Sequence, residues 1–362
     1  MGAISAAGLQ EIGWAAYTEV LNRRDPYVYD RYTMPWLGML EKRKKTITGM
    51  GGKVQVKVKT RGGLVAEHWE ARDVLTFRES RIDFQLEFPL RRTHIGLEIL
   101  HSELENEGYT VTPNEKRGKS FPNRISAADV GRLVDIYEEK IDDMMNEFDE
   151  TLDRVYLLDG SQDSQAPVGL FGYLTLNPAA GTIGGQSRVN KILQHNVVTG
   201  STVTAGGTLA RDLNTLIRES NRYNRGFPGR IDGIMAGNLW IDGYVDYARA
   251  NGIQFNTELG DKKRGVDIGL PDSGITFQGL PVVHNPTFDE LQDQGFNPGF
   301  NLRKCAVLLN SQSWALGIPP DKFKHFSAPM DPPDQRFTRL SLDHRGVLIP
   351  KRPNGNALNV LA

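Results

Sequence analysis

Residues 53–60 read KVQVKVKT, and residues 81–88 read RIDFQLEF. Both alternate without a break. Val54, Val56 and Val58 share one face of the first stretch, with Lys53, Gln55, Lys57 and Lys59 on the other. In the second, Ile82, Phe84, Leu86 and Phe88 share a face, with Arg81, Asp83, Gln85 and Glu87 opposite. A period of two over this length predicts half-buried strands. The polar faces set Lys against Asp and Glu, as cross-strand pairing favours. Together they predict a long two-stranded ribbon. An isolated hairpin is at best marginally stable in water, so the ribbon's apolar face needs a covering surface. The joining segment RGGLVAEHWEARDVLTFR (61–78) far exceeds the usual hairpin loop of ~2–5 residues. Long loops of this kind tend to be functional or disordered. It combines Gly62–Gly63, Trp69 and the mixed charges of Arg61, Glu67, Glu70, Arg72, Asp73 and Arg78. A monomer gains little from such an arm; a subunit that grips a neighbour gains much.

Upstream of the ribbon, residues 7–22 predict a short amphipathic helix with Leu9, Ile12, Tyr17, Val20 and Leu21 as apolar positions. The stretch DPYVYDRYTMPWLGML (25–40) is irregular and is expected to be an extended arm. EKRKK (41–45) reads either as a solvated charged turn or as a small nucleic-acid patch. Downstream, HIGLEILHSELENE (94–107) is expected to be a helix, and residues 109–124 form a polar break.

The most periodic segment is SAADVGRLVDIYEEKIDDMMNEFDETLDRVYLLDG (126–160). Ser126 and Asp129 resemble a capping box. Val130, Leu133, Tyr137, Ile141, Met144, Phe148, Leu152 and Val155 step by three and four, which is one helical stripe. Gly160 is a fitting stop. At ~1.5 Å per residue such a helix is a rod of roughly 50 Å. Its solvent side is expected to carry Asp135, Glu138, Glu139, Asp142, Asp143, Glu147, Asp149, Glu150 and Asp153. The ribbon's first strand and the residues before it are basic. A net charge of −1 therefore hides two opposed surfaces. Complementary surfaces favour ordered association between copies, although two solvated faces that never meet would read the same.

Residues 208–224 and 238–252 read as helices, and 230–237, 275–286 and 304–312 as strands, which together suggest an α+β domain at about 189–310. Residues 253–274 are glycine-rich and read as a mobile loop, and 336–352 return as strands.

With 362 residues the chain can bury a sizeable core. Its near-zero net charge supplies no global field for nucleic acid. The single cysteine, Cys305, excludes an intrachain disulfide and reads as a buried, inert thiol. Neither a signal peptide nor a membrane-spanning run is legible. GTIGGQS (181–187) lacks the Lys-Ser/Thr ending of a phosphate loop. Neither a nucleophile elbow nor an HExxH pair is present. The seven histidines show no metal-ligand spacing, and the paired carboxylates of the long helix read as a solvated face. No catalytic residue, metal or cofactor is expected.

The order of these elements resembles the major capsid protein of tailed bacteriophages, the HK97-like capsid fold. The resemblance rests on residues 53–90, 126–172, 230–252, 275–286 and 336–350. It implies an α+β chain with an N-terminal arm (1–45) and a β-hairpin E-loop (46–93). A peripheral domain (94–188) holds the spine helix at 126–158, an axial domain is inserted at 189–325, and 326–362 return to the peripheral domain. It further implies pentamers and hexamers, an icosahedral shell around double-stranded DNA, and a place in the virion after assembly in the host cytoplasm. A separate scaffolding protein, a portal and decoration proteins are the implied partners, with no membrane and no enzymatic activity.

E-loops of that family lie across a neighbouring subunit, so the ribbon would be covered in trans. Lys57, Lys59, Arg61, Trp69, Arg72 and Arg78, with Glu138, Glu139 and Asp142 on the spine helix, become candidate inter-subunit contacts. Some members cross-link an E-loop Lys to an Asn near the C-terminus. Here those roles would fall on Lys53, Lys57 or Lys59 with Asn354, Asn356 or Asn359, although an ordinary non-covalent shell is the expectation. An encapsulin-type compartment enclosing protein cargo is the alternative within the fold. A soluble enzyme built near Gly181–Gly185 and His195 is the alternative from another class.

Overall fold

The computed structural model describes residues 2–5, 13, 33–47, 52–59, 68, 83–100, 102, 109–112, 127–222, 229–251, 275–330 and 337–362. In chain order the first elements are β1 (Gly2–Ser5), α1 (Pro35–Lys42), β2 (Lys44–Thr46), β3 (Lys53–Lys59) and β4 (Asp83–Pro89). Then come β5 (Arg91–Leu100), β6 (Tyr109–Thr112), α2 (Ala127–Leu157) and α3 (Leu170–Tyr173). Next are β7 (Thr182–Ile183), β8 (Gln186–Ser187), β9 (Asn196–Ser201), α4 (Leu209–Asn221), β10 (Gly233–Ala236) and α5 (Asn238–Ala250). The chain continues through β11 (Thr276–Phe277), β12 (Leu280–His284), α6 (Pro286–Asp293), β13 (Cys305–Leu309) and β14 (Trp314–Ile318). It ends with β15 (His325–Met330), β16 (Phe337–Pro350) and β17 (Ala357–Leu361). Two compact units result: Met1–Tyr32, Arg91–Arg154 and Pro319–Gly346 in one, Thr33–Leu90, Val155–Ile318 and Val347–Ala362 in the other.

In the first unit, α2 follows the period of its sequence. Tyr137, Ile141, Met144, Phe148 and Leu152 are all buried. Its 31 residues make a rod of about 47 Å, and Gly160 stands just beyond its end in the left-handed region at φ 83°. The helix expected at 94–107 is instead strand β5. Ile95, Leu97 and Ile99 alternate along it, and it pairs antiparallel with β16 over ten residues, from Arg91↔Gly346 to Leu100↔Phe337. A short apolar run fits both periods, and the partner that decides between them lies about 240 residues away in sequence. On β16, Thr338, Leu340, Leu342 and His344 are buried in alternation.

In the second unit, six strands run in the order β11-β12-β10-β13-β17-β9. The expected α+β composition of 189–310 is present. Leu213, Leu216, Trp240 and Tyr244 from α4 and α5 pack on Ile234, Val282, Ala306 and Leu308 of this sheet. Residues 357–361, which the sequence reading returned with 326–362 to the first domain, lie inside this sheet instead, between β13 and β9. Residues 25–40 are also corrected in part. Pro35 opens helix α1, in which Trp36, Leu37, Met39 and Leu40 are buried. Trp36 Nε1 donates to Tyr156 O at 3.1 Å, and its ring meets Trp314 edge-on at 5.6 Å. Pro is well placed at a helix start because its missing N–H has no partner there anyway. The helix expected at 7–22 and the loops at 61–78 and 253–274 lie, but for Gly13 and His68, outside the described residues.

Candidate assembly surfaces

The ribbon has the register that alternation predicts. β3 and β4 run antiparallel, with Val54↔Phe88, Val56↔Leu86 and Val58↔Phe84 on the apolar face. The chain itself covers the root of that face. Val54, Leu86 and Phe88 are buried, and the Phe88 ring stands 6.4 Å from Tyr173, edge-on. The short β7–β8 hairpin seats the root from the side. Glu87 N donates to Gly184 O at 3.0 Å, and Gln186 Nε2 donates to Gln85 O at 3.4 Å. Gly184 has φ 55°, and a Cβ there would lie 2.8 Å from Leu86 Cβ. Only glycine fits both the space and the angle. The glycines of 181–187 thus hold the ribbon. Farther out, Val56, Val58 and Phe84 are half-buried. The expectation of a face covered wholly in trans is therefore corrected at the root.

Beneath the root lies a buried polar clamp. Arg188 donates through Nη2 to Tyr173 O and through Nη1 to Thr175 Oγ1. Its guanidinium can only donate, so His195 Nδ1, 3.3 Å away, accepts, and Nε2 donates to Thr175 O at 2.7 Å. Burial, with the neighbouring Arg188 charge, holds His195 down to about 3. A histidine fixed in one neutral tautomer by structural partners is a clamp. Sequence reasoning missed Tyr173 and Arg188, because nothing local marks them.

On the ribbon's polar face, Lys53 Nζ pairs with Glu87 at 3.4 Å, and Gln55 bridges Glu87 and Gln85 at 3.1 and 2.6 Å. Lys57 faces Gln85 rather than an acid, is exposed, and makes no ion pair among the described residues. Lys59 lies opposite Asp83 at the outer end. Arg61, Trp69, Arg72 and Arg78 lie outside the described residues. On α2, Glu139 is exposed and Asp142 half-buried. Glu138 is only 3% exposed, which corrects its place on the solvent side and leaves it little surface for a partner. Asp153 is fully buried as well. Both flank the apolar stripe, which is wider than its a/d-like positions alone suggest.

The three asparagines considered for cross-linking are buried. Asn356 Oδ1 accepts from Asn310 N and Trp314 Nε1, while Asn359 Oδ1 accepts from Trp240 Nε1. Their amides serve the core and are closed to a lysine from another subunit.

Among the described residues no group of three or more His, Cys, Asp or Glu could hold a metal ion. Cys305 is buried, and desolvation, with Asp289 nearby, pushes its thiol far up. His284 Nε2 meets Asp289 at 2.7 Å, and Asp289 also accepts from Asn238 N at the start of α5. This pair holds a helix terminus in place. No described helix is long and apolar enough to cross a membrane.

No protein-family model and no curated protein matches this sequence. Solved structures do match. The capsid asymmetric unit of cyanophage A-1(L) aligns over 95% of this chain and 97% of its own, with TM-score 0.65 and 14% identity. The capsid of Myoviridae phage XM1 aligns over 93% and 95%, with TM-score 0.52 and 11% identity. A chain from Mycobacterium phage Ogopogo aligns over 95% and 99%, with TM-score 0.52 and 12% identity. Sequence identity is low, yet the path of the backbone is shared nearly end to end, and the mixed α+β fold of this chain is that of phage capsid structures.

Proposed function

We propose that this chain is the major capsid protein of a tailed phage, assembling through pentamers and hexamers into an icosahedral shell around double-stranded DNA. The observation that carries the reading is the alignment of 95% of this chain with 97% of a cyanophage capsid chain. In this reading the ribbon is the E-loop, α2 the spine helix, and the six-stranded sheet with its helices the axial domain. The half-buried outer ribbon face, with Lys57, Lys59 and the residues of the joining loop, contacts the adjacent subunit, and Glu139 and Asp142 serve the same role on the helix. The role is structural rather than enzymatic. A scaffolding protein, a portal and decoration proteins are its partners, and the mature location is the virion, reached after assembly in the host cytoplasm.

Electron microscopy of the expressed protein, alone and with its neighbouring genes, tests this. Closed shells, or rings of five and six, are expected. Uniform small particles in both preparations would overturn it. Nuclease-protected DNA in the shells separates a virion from an encapsulin-type compartment, which would hold protein cargo. Replacing residues 62–77 with a short Gly-Ser turn is expected to leave a folded subunit that fails to close shells.

A further inference from the structure

An edge strand offers a row of unpaired backbone groups to any other chain, and proteins blunt such edges with short length, bulges, proline or lysine. The described edges of this chain show these devices. β2, β7, β8 and β11 have two or three residues each, and β1 and β6 have four. β9 contains Gly200 at φ 74° and shifts register against β17. β15 contains Pro329 and shifts register against β16. On the ribbon, β3 carries Lys53, Lys57 and Lys59, and β4 gives Glu87 N to Gly184 O at its root.

β5 has none of these. It runs for ten residues without proline and keeps one register with β16 throughout. Its other edge meets no strand among the described residues. On one face Thr93, Ile95 and Leu97 are only half-buried. Ile95, Gly96 and Leu97 border an open groove of about 200 Å³, completed by Lys140, Asp143, Met144 and Glu147 of α2. On the other face Arg92 stands opposite Arg345 of β16, a like-charge pair that opposes the sheet. Glu98 pairs with Arg339 at 3.3 Å and is still more than half exposed.

We propose that β5 pairs antiparallel with β5 of a second copy about a two-fold axis through Ile95. Arg92 then lies opposite Glu98 of the second copy, twice per contact, and that carboxylate offsets the repulsion between Arg92 and Arg345. Thr93 lies opposite Leu97, and Ile95 opposite itself, so the half-open apolar face is covered. His94, tied to Asp343 at 2.8 Å, lies opposite Gly96, where no side chain obstructs it. The partner is a copy of this chain because RRTHIGLEIL answers itself when turned end for end, its cation at one end facing its acid at the other. Two sheets of order β15-β16-β5 join edge to edge. The contact does not need the capsid reading; in a shell of pentamers and hexamers it falls on the two-fold contacts between them.

Cysteine placement tests the axis, because only a residue on a two-fold axis meets its own copy. I95C, mildly oxidised, is expected to give a covalent dimer on a non-reducing gel. T93C is expected to give none. Its copies lie four residues apart, about 13 Å, beyond the ~4.4–6.8 Å between Cα atoms of a disulfide. The native Cys305 is buried. The reaction is run on shells where they form and on the soluble chain where they do not. R92E and E98R each set like charges across the axis and are expected to weaken the dimer about tenfold, read by sedimentation, with circular dichroism to verify folding. R92E with E98R restores opposite signs and is expected to recover most of that loss. R92E also removes the repulsion with Arg345 inside the subunit, so a merely structural role predicts no loss from it. If I95C fails to fold, this charge series decides. A folded I95C that does not link, a T93C that links as readily, or a double swap no better than either single change overturns the contact. So does an I95C that links only when Val58→Cys is also present, which would give the edge to the ribbon of another copy. Shells without the cross-link leave the capsid reading standing. A linked dimer that never forms shells overturns the capsid reading and keeps this contact.

Discussion

Strands β13 and β3 belong to the same unit and treat their apolar residues in opposite ways. β13 reads CAVLL, and all five residues are buried between β10 and β17. β3 reads KVQVKVK, and burial on its apolar face falls from Val54 at the root to a half-buried Val58 near the tip. A sheet closed within the chain has both faces covered and reads as a continuous apolar run. Among the described residues the ribbon is closed only at its root, against Tyr173 and Gly184. The first kind of surface stabilises the subunit. The second leaves apolar area half open among the described residues.

The sharpest way to break this contrast is to compare subunit stability with assembly. Trp240→Ala empties a fully buried site under the sheet and removes the 2.9 Å donor to Asn359. It is expected to cost the unassembled subunit about 3–5 kcal/mol, read by chemical denaturation. A loss near zero would show that the sheet is not the stable part. Leu86→Ala at the root should come next, at about 2–4 kcal/mol, because that side chain is buried in cis. Were the root covered only in trans, as the sequence alone suggested, the subunit would scarcely notice.

Acid sharpens the same point. His195 beneath the root titrates at about 3, below its ordinary 6.5. The unfolded chain therefore binds more protons in between, so the contribution is fully present above about pH 6.5 and is lost as pH falls towards 3. On the order of 2–3 kcal/mol should be gone by pH 4, and His195→Gln should flatten that part of the profile. His344, held at about 4 by burial and by Lys324, adds a slope of the same sign that the variant retains. An unchanged profile in H195Q would remove the clamp from the account. The smallest expected change in subunit stability is Val58→Ala near the tip, below about 1 kcal/mol. Shell formation should nevertheless weaken, since that face is half open. Equal losses in stability and assembly would erase the distinction between root and tip.

Much of this fold is legible in one dimension. The stripe through Tyr137, Ile141, Met144, Phe148 and Leu152 states its helix, and the alternation through Val54–Val58 and Phe84–Phe88 states its ribbon and register. Residues 94–100 were misread because HIGLEIL satisfies both periods, and only the pairing with 337–346 selects the strand. The helix of Pro35–Lys42 was missed inside an aromatic stretch whose order comes from Trp314 and Tyr156. Charge was read from sequence as two broad surfaces. Only the fold showed that Glu138 and Asp153 turn inward.

What the sequence determined by itself was the elements whose pattern fits one period alone, because periodicity is a local consequence of backbone geometry: the long helix, the ribbon and the buried strands of the α+β unit. What only the tertiary structure decided was which surfaces are already occupied. The root of the ribbon and the asparagines of 354–359 owe their state to residues tens to hundreds of positions away. Burial is a property of the assembled neighbourhood, and no short window of sequence contains its neighbours.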